Sequence, residues 1–311
     1  MRYIALDNNA AQIDLNNPVS VRITRDIDVP ADALYAAFPI DSRINELKSI
    51  KVYSSDNLIF SGIIDEQKIE CSDNGCLLKI SSRSLAALLI DNEALSQNYE
   101  KTSLKVIFDR HIRPYGFTDY IGSEESFADK FIVYKGMSEW DVLNSFCHKF
   151  LGVHPRVINN TAIDATGVFS NSKKIDISND FGIKYNNISY LIKRYNRLSE
   201  VFIRAKNDAS YDVRAYDQSA LDSGISRKRY LNAFNDVRTP VSFGDDMIKH
   251  AKFNSYMIKA RCIGNVDAAI GSYVNLYDPI IGEMQNLVIS KINYSLHSSG
   301  EFTEISMHRS E

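Results

Sequence analysis

Residues 58–95 read LIFSGIIDEQKIECSDNGCLLKISSRSLAALLIDNEAL, and this stretch decides the fold. The apolar, β-branched run Leu58 to Ile64 leads through Lys68–Cys71 to Ser72-Asp73-Asn74-Gly75, and Cys76 to Ser81 follows. Asn74-Gly75 between two such runs predicts a hairpin with a type I′ turn, because that turn needs positive φ at both central residues. After Ser82 the apolar spacing becomes Leu85, Leu88, Leu89, which is helical. A lone hairpin leaves two edges unpaired, so it needs partners, and the alternating Val19, Val21 and Ile23 upstream supply one. These elements predict a small β-barrel plugged by a helix.

The order of a V-x-V-x-I strand, the run Phe60-Ser61-Gly62-Ile63-Ile64, an Asn-Gly hairpin and then SSRSLAALLIDNEA resembles the first barrel of baseplate hub proteins. These belong to the tail hub or late-control family of contractile phage tails and of phage-derived bacteriocin or injection particles. The string Gly136-Met137-Ser138-Glu139-Trp140-Asp141-Val142-Leu143 resembles the LysM-like module that follows that barrel in the family. Gly271-Ser272-Tyr273-Val274-Asn275-Leu276 and the closing Ser290 to Met307 hairpin resemble the end of its second barrel.

The fold class expected is therefore α+β, mainly β, with two small β-barrels of tail-tube type bracketing a small α/β LysM-like module. The divisions are a first barrel with its plug helix at 1–98, the module at 99–170, and a second barrel at 171–311. The last carries an inserted subdomain at about 210–262. At 311 residues the chain has room for two or three cores.

Local signals fill in the elements. Leu34 to Ile40 and Ile50 to Tyr53 read as further strands, with Pro30 and Pro39 marking interruptions of pairing. Thr102 reads as the N-cap of a helix with Leu104, Ile107, Phe108 and Ile112 on one stripe. Ser138 caps a second helix with Asp141 at its third position, burying Trp140, Leu143, Cys147, Phe150 and Leu151. Asn171 to Asn187 is polar and turn-rich and marks a boundary. Ser242 to Phe253 reads as helix, and Ser272–Tyr277, Gln285–Leu296 and Glu301–Met307 read as strands. Within Gln285–Leu296 the alternation changes phase near Ser290-Lys291, which predicts a β-bulge.

Composition narrows the function classes. With 36 basic and 39 acidic residues the net charge is −3, unlike a chain whose main work is gripping phosphate backbone. Its 17 Tyr and 15 Phe suit strands and interfaces. No apolar run reaches the roughly 18 residues that span a bilayer, and the N-terminus MRYIALDNNA lacks the apolar core of a secretory signal. Synthesis in the bacterial cytoplasm is expected, and with it reduced thiols at Cys71, Cys76, Cys147 and Cys262.

Four groupings invite chemistry. His148 and His154 with Cys147 lack the paired spacing of a structural zinc site, so a solvent-facing helix-end histidine is expected. Cys147-His148 fails as a nucleophile pair, since neighbours on a helix point about 100° apart. Asp245-Asp246 and Glu124-Glu125 offer the two acids that glycan hydrolysis needs, but adjacent acids commonly serve as dipole partners or solvated surface. Arg227-Lys228-Arg229 is a compact basic run that could touch nucleic acid, but three charges in a polar loop fit a solvated face or a subunit contact better. No catalytic residue, cofactor or metal site is assigned.

The resemblance implies a non-enzymatic hub. Three chains would form a ring around the channel and join the tail tube, or its initiator protein, to the central spike, with other baseplate proteins alongside. It would neither insert into a membrane nor read nucleic-acid sequence. The competing expectation is a cell-wall-directed protein that binds glycan or hydrolyses peptidoglycan.

Overall fold

The computed structural model describes residues 1–169, 174–205, 208–232 and 238–309. Seven strands open the chain: β1 Arg2–Asp7, β2 Gln12–Leu15, β3 Ser20–Asp26, β4 Val29–Ile40, β5 Leu47–Ser54, β6 Asn57–Ser72 and β7 Gly75–Ser84. They pair antiparallel in the order β3-β4-β7-β6-β5-β1-β2. Period-two alternation puts Val21, Ile23, Leu34, Phe38, Ile50, Val52, Phe60, Leu78 and Ile80 into one core. Burying each such side chain contributes about 1.5–3 kcal/mol.

The closing strands complete the sheet. Gly282–His297 pairs with Gly300–Arg309 along one edge, and its other edge serves two partners in succession. Residues up to Val288 pair with Tyr273–Asp278, while Lys291 to Leu296 pair with β3. The register shift expected near Ser290 lies between Ile289 and Lys291, at the changeover. One strand thus fuses both β regions into a thirteen-stranded sheet. Among the described residues no barrel closes: β2 and Tyr185–Ile192 end the ladder, and Lys174–Ser178 ends the branch that pairs with Tyr273–Asp278.

Several local expectations shift. The hairpin turn is centred on Asp73-Asn74, because Ser72 already faces Gly75. Gly75 has φ +112° but Asn74 is not in the positive-φ region, so the turn is not type I′. Cys71 faces Cys76 with Cα atoms 4.0 Å apart, and the two are joined as a disulfide. The expected reduced pair is corrected, since register alone places the thiols together. Pro30 and Pro39 lie inside β4, though pairing with β3 stops at Ala37, two residues short of Pro39.

The short helix Ala87–Asp91 does not plug the first sheet. Ala86, Ala87 and Leu89 instead join the core of the central region with Leu104, Ile107, Phe108, Phe146, Cys147 and Ile163. Ser103, not Thr102, caps the next helix, its Oγ accepting from Val106 N at 3.4 Å. That helix runs through π and 3-10 turns to Gly116. Ser138 and Asp141 form the expected capping box on Glu139–Phe146, but Val142 and Phe146 are buried where Trp140 and Leu151 are only partly so.

Tyr185–Ile192 and Tyr256–Ile263 pair directly, and a small unit is inserted between them. It comprises a sheet of Val213–Tyr216, Glu200–Arg204 and Lys228–Asn232 with the helix Pro240–Phe253 on a core of Val201, Ile203, Ala215 and Ile248. Gly244 lets that helix approach, since an added Cβ would lie 2.7 Å from both Ala215 and Ile203. The boundary expected at 170/171 falls outside the described residues. Within the polar stretch expected as a boundary, Lys174–Ser178 and the start of Tyr185–Ile192 are strands. No helix among the described residues is long and apolar enough to cross a membrane.

Candidate interaction surface

A concavity of about 890 Å³ lies between the polar face of the fused sheet and the inserted unit. Alternation builds its floor. Where Ile23, Ile292, Ile305 and Ile258 point into cores, Thr24, Lys291, Ser306 and Lys259 point the other way and line the groove. Register sets Lys259 opposite Ser306, Ser306 opposite Lys291, and Lys291 opposite Asp26. Lys291 Nζ and Asp26 Oδ2 form an ion pair at 2.9 Å. The inserted unit supplies the wall, with Lys193, Tyr195, Arg229, Met247, Ala251 and Phe253. At one end His308 stacks on Phe253, with centroids 4.3 Å apart and its Nδ1 2.8 Å from the Phe253 carbonyl oxygen. Burial holds this imidazole below the ordinary histidine range.

The groupings singled out in the sequence are not brought into one site. Cys147 is fully buried, and burial pushes its thiol up to about 12, removing it as a nucleophile at neutral pH. His148 is exposed as expected, its ring 5.6 Å from that of His154, which is 6.3 Å from His250 on the inserted helix. Although the residue is exposed at the surface, partial desolvation of its ring, then the neighbouring His154 and Arg238, lower the pKa of His148. Among the described residues no three His, Cys, Asp or Glu side chains converge as a metal site.

Asp246 is held by Arg238 and Asp245 faces solvent; neither lies in the first turn of its helix, so the helix-dipole role does not apply. Glu124 accepts from the Tyr120 hydroxyl at 3.1 Å. The basic run starts a strand rather than a loop: Lys228 pairs with Glu200 at 3.1 Å, Arg227 donates to the Arg194 carbonyl at 2.9 Å, and Arg229 turns into the groove.

One constellation escaped sequence reasoning. His111 is buried, its Nδ1 2.6 Å from Glu139 Oε2 and its Nε2 2.8 Å from the Tyr99 hydroxyl, while Tyr115 donates to Glu139 Oε1 at 3.1 Å. These bonds tie a strand, a π turn and the capped helix of the central region together. The partners lie 12 and 28 residues away, so no local spacing signals them. Tyr99, His111 and Glu139 are all buried, and the chemistry of the cluster is that of a buried polar clasp.

No family model matches the sequence, and no curated protein sequence matches it. Solved structures do. The chain is similar over 99% of its length to the 43 kDa tail protein of prophage MuSo2 from Shewanella oneidensis, covering 98% of that chain, with a TM-score of 0.80 and 16% identity. It is similar over 99% of its length to a tail protein from Neisseria meningitidis MC58, covering 96% of it, with a TM-score of 0.78 and 16% identity. A component of the Escherichia coli type VI secretion system, described as structurally similar to the T4 tail proteins gp27 and gp5, matches 95% of this chain. That match covers 74% of the E. coli chain, with a TM-score of 0.58 and 9% identity. The chain has the fold of phage tail proteins.

Proposed function

We propose that the chain is a non-enzymatic structural hub of a contractile tail baseplate, in a phage or a derived bacteriocin or injection particle. In it, three copies form a ring around the channel and join the tube to the central spike. The observation that carries this is the full-length likeness to tail proteins at TM-scores of 0.78 and 0.80. The likeness to a secretion component itself compared with gp27 and gp5 supports a place near a spike.

The internal arrangement supports the trimer. One chain holds two β regions of comparable size, seven strands before the central region and six after it, fused edge to edge through Gly282–His297. Two such regions per chain let three chains present six to a six-fold tube and three to a three-fold spike. In this reading a first β region at 1–98 is followed by an α/β module of LysM-like type at 99–170 and a second β region at 171–311 with an inserted unit; separate cores in the two β regions support the division, although Ala86, Ala87 and Leu89 pack into the central core.

Two assays test the role. Particles made without this chain should contain tube and spike that fail to join, and adding it back should restore joining. Purified protein on peptidoglycan should neither release sugars nor be retained. Hydrolysis would favour the cell-wall reading.

A further inference from the structure

The charge lining the groove differs from that of the chain as a whole. Lys291 and Asp26 neutralise each other at 2.9 Å. Among the described residues, Arg22, Lys193 and Lys259 line the groove without a carboxylate partner, and the Arg229 guanidinium donates to the Lys228 carbonyl at 3.0 Å. Against these four cations stand two carboxylates, Asp28 and Glu304, which form no ion pair among the described residues. The groove is thus net positive in a chain of net charge −3. The wall opposite the sheet adds the apolar atoms of Leu198, Met247 and Ala251.

We propose that this groove binds an extended acidic polypeptide segment. Four strands about 4.8 Å apart make a floor roughly 15 Å across, which an extended chain of about five residues spans at ~3.3 Å each. Asp or Glu side chains facing the floor meet Lys259 and Arg22, one at the rim meets Lys193, and the intervening side chains lie on the apolar part of the wall. Asp28 and Glu304 select against nucleic acid, because a continuous phosphate backbone brings only negative charge to them. A polypeptide brings N–H donors to the same carboxylates. The proposal concerns this chain alone and stands whether or not the assembled ring is trimeric.

The test is fluorescence anisotropy of the full chain with three labelled probes: a decapeptide of alternating Glu and Val, its Gln-for-Glu counterpart, and a ten-nucleotide oligothymidylate. The Glu peptide should bind at least about tenfold more tightly than the Gln peptide, and should weaken as salt rises from about 50 to 300 mM. The combined variant Arg22→Gln, Lys193→Gln, Lys259→Gln should lose about tenfold in affinity at an unchanged melting temperature. Should it fail to fold, Lys193→Gln alone should lose about threefold. Equal affinity for the Glu and Gln peptides, tighter binding of the oligonucleotide, or undiminished binding by a folded variant would each overturn the proposal.

Discussion

Asp32 on β4 shows how one side chain sets a pH dependence. Burial pushes its carboxyl up to about 6, and Arg25, with Nε 3.4 Å away, only partly offsets this. A raised carboxyl pKa means that the folded state holds its proton more tightly than the unfolded chain. The stabilisation is complete below the unfolded value near 3.8 and is lost as pH rises through about 6. The side chain keeps 27% exposure, so the loss is discounted to about 1–2 kcal/mol. Urea unfolding of Asp32→Asn should show a stability that rises relative to wild type between pH 4 and 6; parallel curves would contradict the burial. The thiols give a second residue-scale test. With Cys71 and Cys76 bridged, and Cys147 and Cys262 free and buried, two thiols should titrate in denaturant without reductant. Four would mean that the hairpin folds without its bridge.

Elements divide by how far their causes lie along the chain. Gly75 at φ +112° is a purely local requirement, and Gly75→Val should lower stability by about 1–3 kcal/mol in thermal melts even though the turn is not type I′. Ser138→Ala, which dismantles a capping box, should cost about 1 kcal/mol. The Gly282–His297 strand is different. The bulge at Ser290, where its partner changes from Tyr273–Asp278 to β3, keeps Ile289 and Ile292 on one face, and inserting one residue between Ile292 and Asn293 would turn Tyr294 and Leu296 to the opposite face. Amide exchange should then show lost protection across Gly300–Arg309; retained protection would mean that the junction tolerates a slip. The sequence made most strands, the bulge and the capping box legible, because alternation, phase and cap chemistry are local. It did not show that Lys291–Leu296 pairs with β3, since the two meet only in the fold. The same distance hid the groove, whose floor joins both ends of the chain and whose wall comes from the inserted unit, and the His111 clasp. The helix at Ala87–Asp91 was legible as a helix but not as a partner of the central core, because its small residues fit either neighbour.

At the scale of the whole molecule, a sheet this long exposes edge strands at β2 and Tyr185–Ile192, and Leu191 and Ile192 are 43% and 51% exposed. Open edges are a liability for a free monomer and are removed by closed symmetry. The isolated chain is expected to remain monomeric until tube and spike template its ring, so the assembled particle is where the account is decided. Electron cryomicroscopy of purified particles, with symmetry determined at the distal end of the tube, measures the copy number directly. Three copies in a ring between tube and spike are predicted; six copies, or one, would contradict the account.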